Sequence, residues 1–153
     1  MNDTHQGRIT KDGIRIYDPS DYDGMRASGA VAAQILDEVG ALVQPGATTG
    51  DIDAFVERRV VELGTTSATI GYKGYAHASC ISVNHVVCHG IPGSKIPGRK
   101  NDVLLEGDIV NVDITVIKNG WFGDTSRMYV AGKAKKFAER LITVTHDALM
   151  LGI

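Results

Sequence analysis

Asp108-Ile109-Val110-Asn111-Val112-Asp113-Ile114-Thr115-Val116-Ile117-Lys118-Asn119-Gly120-Trp121-Phe122-Gly123-Asp124-Thr125-Ser126 reads as a β-hairpin. Val110, Val112, Ile114 and Val116 alternate with Asn111, Asp113 and Thr115, which gives the first strand one apolar and one polar face. Asn119-Gly120 is a strong signal for a two-residue type I′ turn. That turn sets a register in which Ile117 faces Phe122, Thr115 faces Asp124 and Asp113 faces Ser126. Asp113 and Asp124 then share a face as diagonal neighbours, about 7–8 Å apart by backbone spacing. Two carboxylates leaning toward one point can clasp divalent cations about 3.5–4 Å apart. Without a cation they repel each other in a poorly solvated place. The same pattern also fits a half-exposed hairpin whose polar face meets water. The hairpin alone leaves both readings open.

Outward from the hairpin, helical patterning flanks a loop-rich middle. Residues 1–18 read as a polar lead-in, followed from residue 19 by one domain. Ser20 and Asp23 resemble a capping box. The apolar positions Met25, Ala32, Ile35, Leu36, Val39, Leu42 and Val43 then mark one face of a helix that Pro45-Gly46 stops. Thr48 with Asp51 resembles a second helix start, and Ile52, Phe55, Val56, Val60 and Leu63 line its apolar face before Gly64. Gly71 to Tyr75 reads as a loop and Cys80 to Val83 as a short strand. A loop rich in Gly and Pro leads into the hairpin. A third helix is expected from about Ala134, with Phe137, Leu141, Val144, Ala148 and Leu149 on one face. It runs to the last residue with that face uncovered, so the chain is expected to stop short of its full domain.

Composition narrows the class. Apolar residues make up 43% and charged residues 22%, a globular balance. The formal net charge of -2 offers no global field for nucleic acid or an acidic membrane. Arg99 and Lys100 form the one basic stretch and read as a solvated loop. The first twenty residues hold no apolar run, so no secretory signal is expected, and no stretch has the length of a membrane span. Cys80 and Cys88 are therefore expected to be reduced thiols of a cytosolic protein.

Five segments, in order and at matching spacing, resemble the type I methionine aminopeptidases. They are Tyr72-Lys73-Gly74-Tyr75, Cys80-Ile81-Ser82-Val83-Asn84, Val86-Val87-Cys88-His89-Gly90-Ile91-Pro92, Gly107-Asp108-Ile109-Val110-Asn111-Val112-Asp113 and Gly123-Asp124-Thr125-Ser126. The likeness runs from about Ser20 to the end. It implies an α/β fold of the α+β type, the pita-bread fold, of which this chain is the amino-terminal half. It implies an enzyme that removes the initiator methionine with two divalent metal ions, cobalt, manganese, iron or zinc. By the resemblance, Asp113 binds one metal through both oxygens and Asp124 bridges the two. His89 stands beside the substrate, while Tyr72, Tyr75 and Cys80 line the methionine pocket. Asn84 and Val86 fall near a backbone site for a monovalent cation.

The implied partner is the amino-terminal methionine of nascent, ribosome-associated peptides. Nucleic acid and membranes are not implied, and the expected state is a cytoplasmic monomer. The family's other ligands, one His and two Glu, match nothing after Asp124, so the chain alone is expected to be inactive. Lys73 and Ala76 depart from the His and Pro that many members carry there, at the pocket rim. Cys88 reads as a buried small residue and Trp121 as packing. His5, His77, His85 and His146 read as having no partner. The rival readings are a proline-specific peptidase of the same fold and a non-catalytic binding protein that keeps the fold.

Overall fold

A computed structural model describes residues 7–153. The hairpin forms as its sequence dictates. Strands Ile109–Lys118 (β5) and Trp121–Val130 (β6) pair antiparallel with Ile117 opposite Phe122, Thr115 opposite Asp124 and Asp113 opposite Ser126. Asn119 and Gly120 both take positive φ, 52° and 84°, the backbone a type I′ turn needs.

β5 is the central strand. β6 covers one edge along its whole length. The other edge is shared end to end by Ser79–Val83 (β4) and by Thr66–Ser67 (β3). One sheet face is therefore apolar over two strands: Val110, Val112, Ile114 and Val116 of β5, with Ile81 and Val83 of β4, are nearly or fully removed from solvent.

Two helices cover that face. Tyr22–Val39 (α1) lies across β5 and β6, and Thr49–Glu62 (α2) lies against β4, β3 and α1. Ile35, Leu36 and Val39 of α1 meet Ile52, Val56 and Val60 of α2 in the shared core. Burying such side chains contributes roughly 1.5–3 kcal/mol each. Thr48 caps α2, its hydroxyl accepting from the Asp51 N–H at 3.0 Å.

Several expectations need correcting. Met25 is 49% exposed and does not belong to the core face of α1. The turn into α1 is closed by Asp21, which accepts from the Asp18 N–H at 2.9 Å, rather than by Ser20 and Asp23. Asp23 instead pairs with Arg26 in solvent. Arg99 is not a solvated loop charge. Its guanidinium grips the buried Asp108 carboxylate through two 2.6 Å hydrogen bonds. Residues 7–18 hold a small hairpin, Arg8–Ile9 (β1) with Arg15–Ile16 (β2), where no strand was expected. His5 lies outside the described residues.

The third helix, Lys136–Gly152 (α3), forms as expected, and its apolar face stands open. Phe137 is 72% exposed, and Leu141, Val144 and Leu149 are exposed with it, while Ala138 is buried. No helix among the described residues is long and apolar enough to cross a membrane.

Candidate active site

The site lies on the sheet face opposite the helices. Alternation along β5 sends Asp113 and Thr115 there, between the buried Val112, Ile114 and Val116. Asp113 lies between Cys80 of β4 and Ser126 of β6, and Thr115 lies beside Asp124. The two aspartates are diagonal neighbours on one face. Thr115 donates its hydroxyl hydrogen to Asp124 Oδ1 at 2.9 Å. Gly123, next to Asp124, is buried against the backbone of Ser28, which holds this end of β6 close to α1.

A cavity of about 480 Å³ opens on the same face, lined by Ala68, Thr69, Tyr72, Tyr75, Cys80, His89, Thr115 and Phe122. It brings together Tyr72, Tyr75, Cys80 and His89, all singled out from the sequence. Asp113 flanks it through Cys80 and Thr115. Ala68, Thr69, Thr115 and Phe122 were not singled out. Thr115 and Phe122 were legible from the hairpin register, because they share the aspartates' face. Ala68 and Thr69 are brought in by β3, where the Ala68 N–H donates to the Thr115 carbonyl at 2.9 Å.

His89 comes from the loop after β4, which folds back along that strand. The Gly90 carbonyl accepts from the Ile81 N–H at 2.8 Å, and the Gly90 N–H donates to Ser82 Oγ at 3.0 Å. The approach is so close that a Cβ on Gly90 would lie 2.1 Å from the Ile81 oxygen. Only glycine fits, and the pin carries the exposed imidazole of His89 to the cavity. Cys88, expected to be buried, is exposed, because the same loop turns it outward.

The electrostatics separate a wall from a charged rim. Burial pushes the Tyr75 phenol well above its ordinary range, and its contact with Cys80 adds to the rise. Burial likewise raises the Cys80 thiol, against the pull of Tyr75 and with the push of Asp113. Both groups are uncharged at neutral pH and present an apolar, polarizable surface. Burial also raises the Asp113 carboxyl, Asp124 raises it further, and His89 draws it partly back.

Neither aspartate enters an ion pair among the described residues. A half-buried carboxylate crowded by a second is a donor set that suits a hard divalent cation. It is a partial set, for no group of three or more His, Cys, Asp or Glu among the described residues is arranged to hold a metal. Asn84 and Val86 lie in the turn after β4. The Asn84 side chain is engaged at both ends, donating to Asp108 Oδ1 at 2.8 Å and accepting from the Ile109 N–H at 3.1 Å.

Of the histidines read as partnerless, His77 is the exception. Its Nδ1 lies 2.9 Å from Asp53 Oδ2 on α2. His85 is exposed, and His146 stands in the open, 3.7 Å from its neighbour Asp147. Trp121 packs against Tyr17, ring centroids 5.1 Å apart, in keeping with a packing role.

Such a sheet, bearing two aspartates beside a closed helical core, is one half of a pita-bread α/β fold. The chain belongs to metallopeptidase family M24, whose family model matches residues 23–153. The methionine aminopeptidase of Rickettsia prowazekii is 44% identical over 140 residues, covering 92% of this chain and 51% of that protein. That of Escherichia coli K12 is 43% identical over 141 residues, with the same coverage.

The crystal structure of the Rickettsia enzyme matches with a TM-score of 0.84 over 92% of this chain and 54% of the other. That of the Thermotoga maritima methionine aminopeptidase matches with a TM-score of 0.80 and 35% identity, over 92% of this chain and 54% of the other. The chain spans about half the length of the curated relatives it matches. Membership in a metallopeptidase family implies the use of divalent metal.

Proposed function

We propose that this chain carries the side-chain pocket and two of the metal-binding carboxylates of a methionine aminopeptidase, which releases amino-terminal methionine by hydrolysing the first peptide bond. The observation that carries the reading is the placement of Asp113 and Asp124 on one sheet face beside a cavity lined by Tyr72, Tyr75, Cys80 and His89. In this reading residues 1–18 lead into the amino-terminal half of the catalytic domain, residues 19–153. Its substrates are nascent peptides met at the ribosome, and the protein works as a cytoplasmic monomer.

Asp113 and Asp124 would hold the divalent metal, with further ligands supplied from outside this pair. Divalent cations, whether manganese, iron, cobalt or zinc, supply the Lewis acidity that activates water at neutral pH. His89 donates a hydrogen bond to the oxygen that gains charge on the scissile carbonyl. Tyr72, Tyr75 and Cys80, joined by Phe122, bury the methionine side chain and exclude water from it. Thr115 holds Asp124 in its rotamer. The backbone of the Asn84–Val86 turn offers carbonyls to a monovalent cation. Two carboxylates alone bind divalent metal weakly, so the 153-residue chain by itself is inactive.

The test uses the protein as its gene encodes it, with peptides led by Met, Pro and Leu. Met-Ala-Ser is cleaved, a chelator abolishes the activity, and added manganese or cobalt restores it. Preference for the Pro-led peptide would move the assignment to a proline-specific peptidase. Failure to take up any divalent ion would leave a binding protein of the same fold.

A further inference from the structure

Asp53 and His77 form a part-buried junction next to Tyr75 of the cavity wall. The Asp53 carboxylate comes from α2 and is 6% exposed. Its Oδ1 accepts from the Ala78 N–H at 3.1 Å, the Ser79 N–H at 2.9 Å and the Ser79 hydroxyl at 2.7 Å. Its Oδ2 faces His77 Nδ1 at 2.9 Å. A carboxylate only accepts, so the imidazole carries its hydrogen on Nδ1. Together these bonds tie residues 77–79 to α2.

The His77 carbonyl accepts from the Thr69 hydroxyl at 2.7 Å. The His77 ring meets Tyr75 edge-on, centroids 5.4 Å apart. The Tyr75 hydroxyl donates to the Ser79 carbonyl at 2.9 Å and lies 3.5 Å from Cys80 Sγ. Thr69, Tyr75 and Cys80 all line the cavity. The His77 side chain thus links Asp53 of α2 to the Tyr75 ring, while Asp53 Oδ1 holds the start of β4 and Thr69 bonds the His77 backbone. A charge-assisted hydrogen bond to a buried acceptor is among the stronger fixings a loop can have.

We propose that His77, anchored by Asp53, is a positioning residue that sets the wall of the side-chain pocket. It touches no reacting atom. It holds the Tyr75 ring in the wall against which an apolar side chain packs, so its loss weakens recognition and leaves the chemistry at Asp113, Asp124 and His89 intact. The role in selectivity rests on reading the cavity as the methionine pocket.

The experiment compares His77→Ala and His77→Asn with the parent in the full-length protein. It measures KM and kcat for Met-Ala-Ser and amide hydrogen exchange across residues 69–79. His77 is partly solvated and Asp53 keeps its three other hydrogen bonds, so both variants are expected to fold. His77→Ala is expected to raise KM several-fold with kcat within about twofold, and to speed exchange in the Tyr75 loop. His77→Asn places an amide N–H where Nδ1–H stood and restores both. Unchanged KM, an equal fall in kcat, or an alanine-like asparagine variant would each overturn the proposal. If the parent protein cleaves no Met-led peptide, the methionine reading falls separately. The exchange data still decide the clamp: faster exchange in His77→Ala, reversed in His77→Asn, supports it, and unaltered exchange overturns it.

Discussion

Gly123 of β6 lies against the backbone of Ser28 in α1, so close that a Cβ added at Gly123 would stand 2.5 Å from the Ser28 carbonyl carbon. The Ser28 hydroxyl donates to the Trp121 carbonyl at 2.9 Å and closes the same contact. This approach seats β6 on the helix layer one residue before Asp124. The position of that carboxylate depends on a glycine buried on the opposite face of the sheet.

Gly123→Ala therefore acts in two places. Overpacking against rigid backbone is expected to lower stability by about 1–3 kcal/mol, outweighing the small gain a strand makes from losing a glycine. Metal affinity should fall as well, since β6 must move outward with Asp124. Denaturant unfolding and a manganese titration check the pair. A variant with unchanged stability would show that the contact is slack.

Asp113→Asn separates fold from function. Asp113 is a half-buried carboxylate pressed by Asp124 and has no ion-pair partner among the described residues. Removing its charge should raise the thermal midpoint of the metal-free protein. Added manganese should then stabilise the parent protein and leave the variant unmoved, because a ligand that binds the native state shifts the midpoint by mass action. Calorimetry with and without manganese reads both effects.

The Arg99–Asp108 pair predicts acid sensitivity. Burial raises the Asp108 carboxyl, but Arg99, the Leu105 N–H and the Asn84 amide outweigh it and hold it below its ordinary range. A folded-state value below the unfolded one means that the unfolded chain takes up the proton first. The pair's stabilisation is complete above the ordinary carboxylate range and is lost as pH falls through the depressed value. Asp108→Asn should flatten that acid limb. Arg99→Ala strands a buried charge and should cost toward the lower end of roughly 3–5 kcal/mol, since the Arg99 side chain is itself partly solvated. Urea unfolding as a function of pH measures both.

Phe122 offers a test of the pocket. It lines the cavity yet is 58% exposed, so Phe122→Ala should leave stability nearly unchanged. Losing one aromatic contact to a methionine side chain, worth about 1–2 kcal/mol, should raise KM for Met-Ala-Ser by roughly 5–30-fold. Steady-state kinetics on the full-length protein decide it, and an unchanged KM would place the methionine elsewhere.

The legible part of the fold was its local part. Alternation from Val110 to Val116 and the Asn119-Gly120 turn specify strands, turn type and register, because these depend on neighbours a few residues away. Thr48 and Asp51 announce α2 for the same reason. Met25 misled because helical spacing says which residues share a face, not how far the neighbouring layer reaches. The small hairpin at residues 8–16 escaped because two-residue strands carry no periodicity.

By itself the sequence pointed to Asp113 and Asp124 sharing a face, through a two-residue turn and a period of two that an unbulged hairpin keeps. Its five segments also determined the family. Tertiary structure alone decided what gathers around that face. Asp53 and His77 are separated by 24 residues, Arg99 and Asp108 by nine with no regular structure to relate them, and Gly90 meets Ile81 by a loop that doubles back. Such meetings follow from how layers pack once the core is buried. Packing is a property of the whole chain, and no local pattern records it.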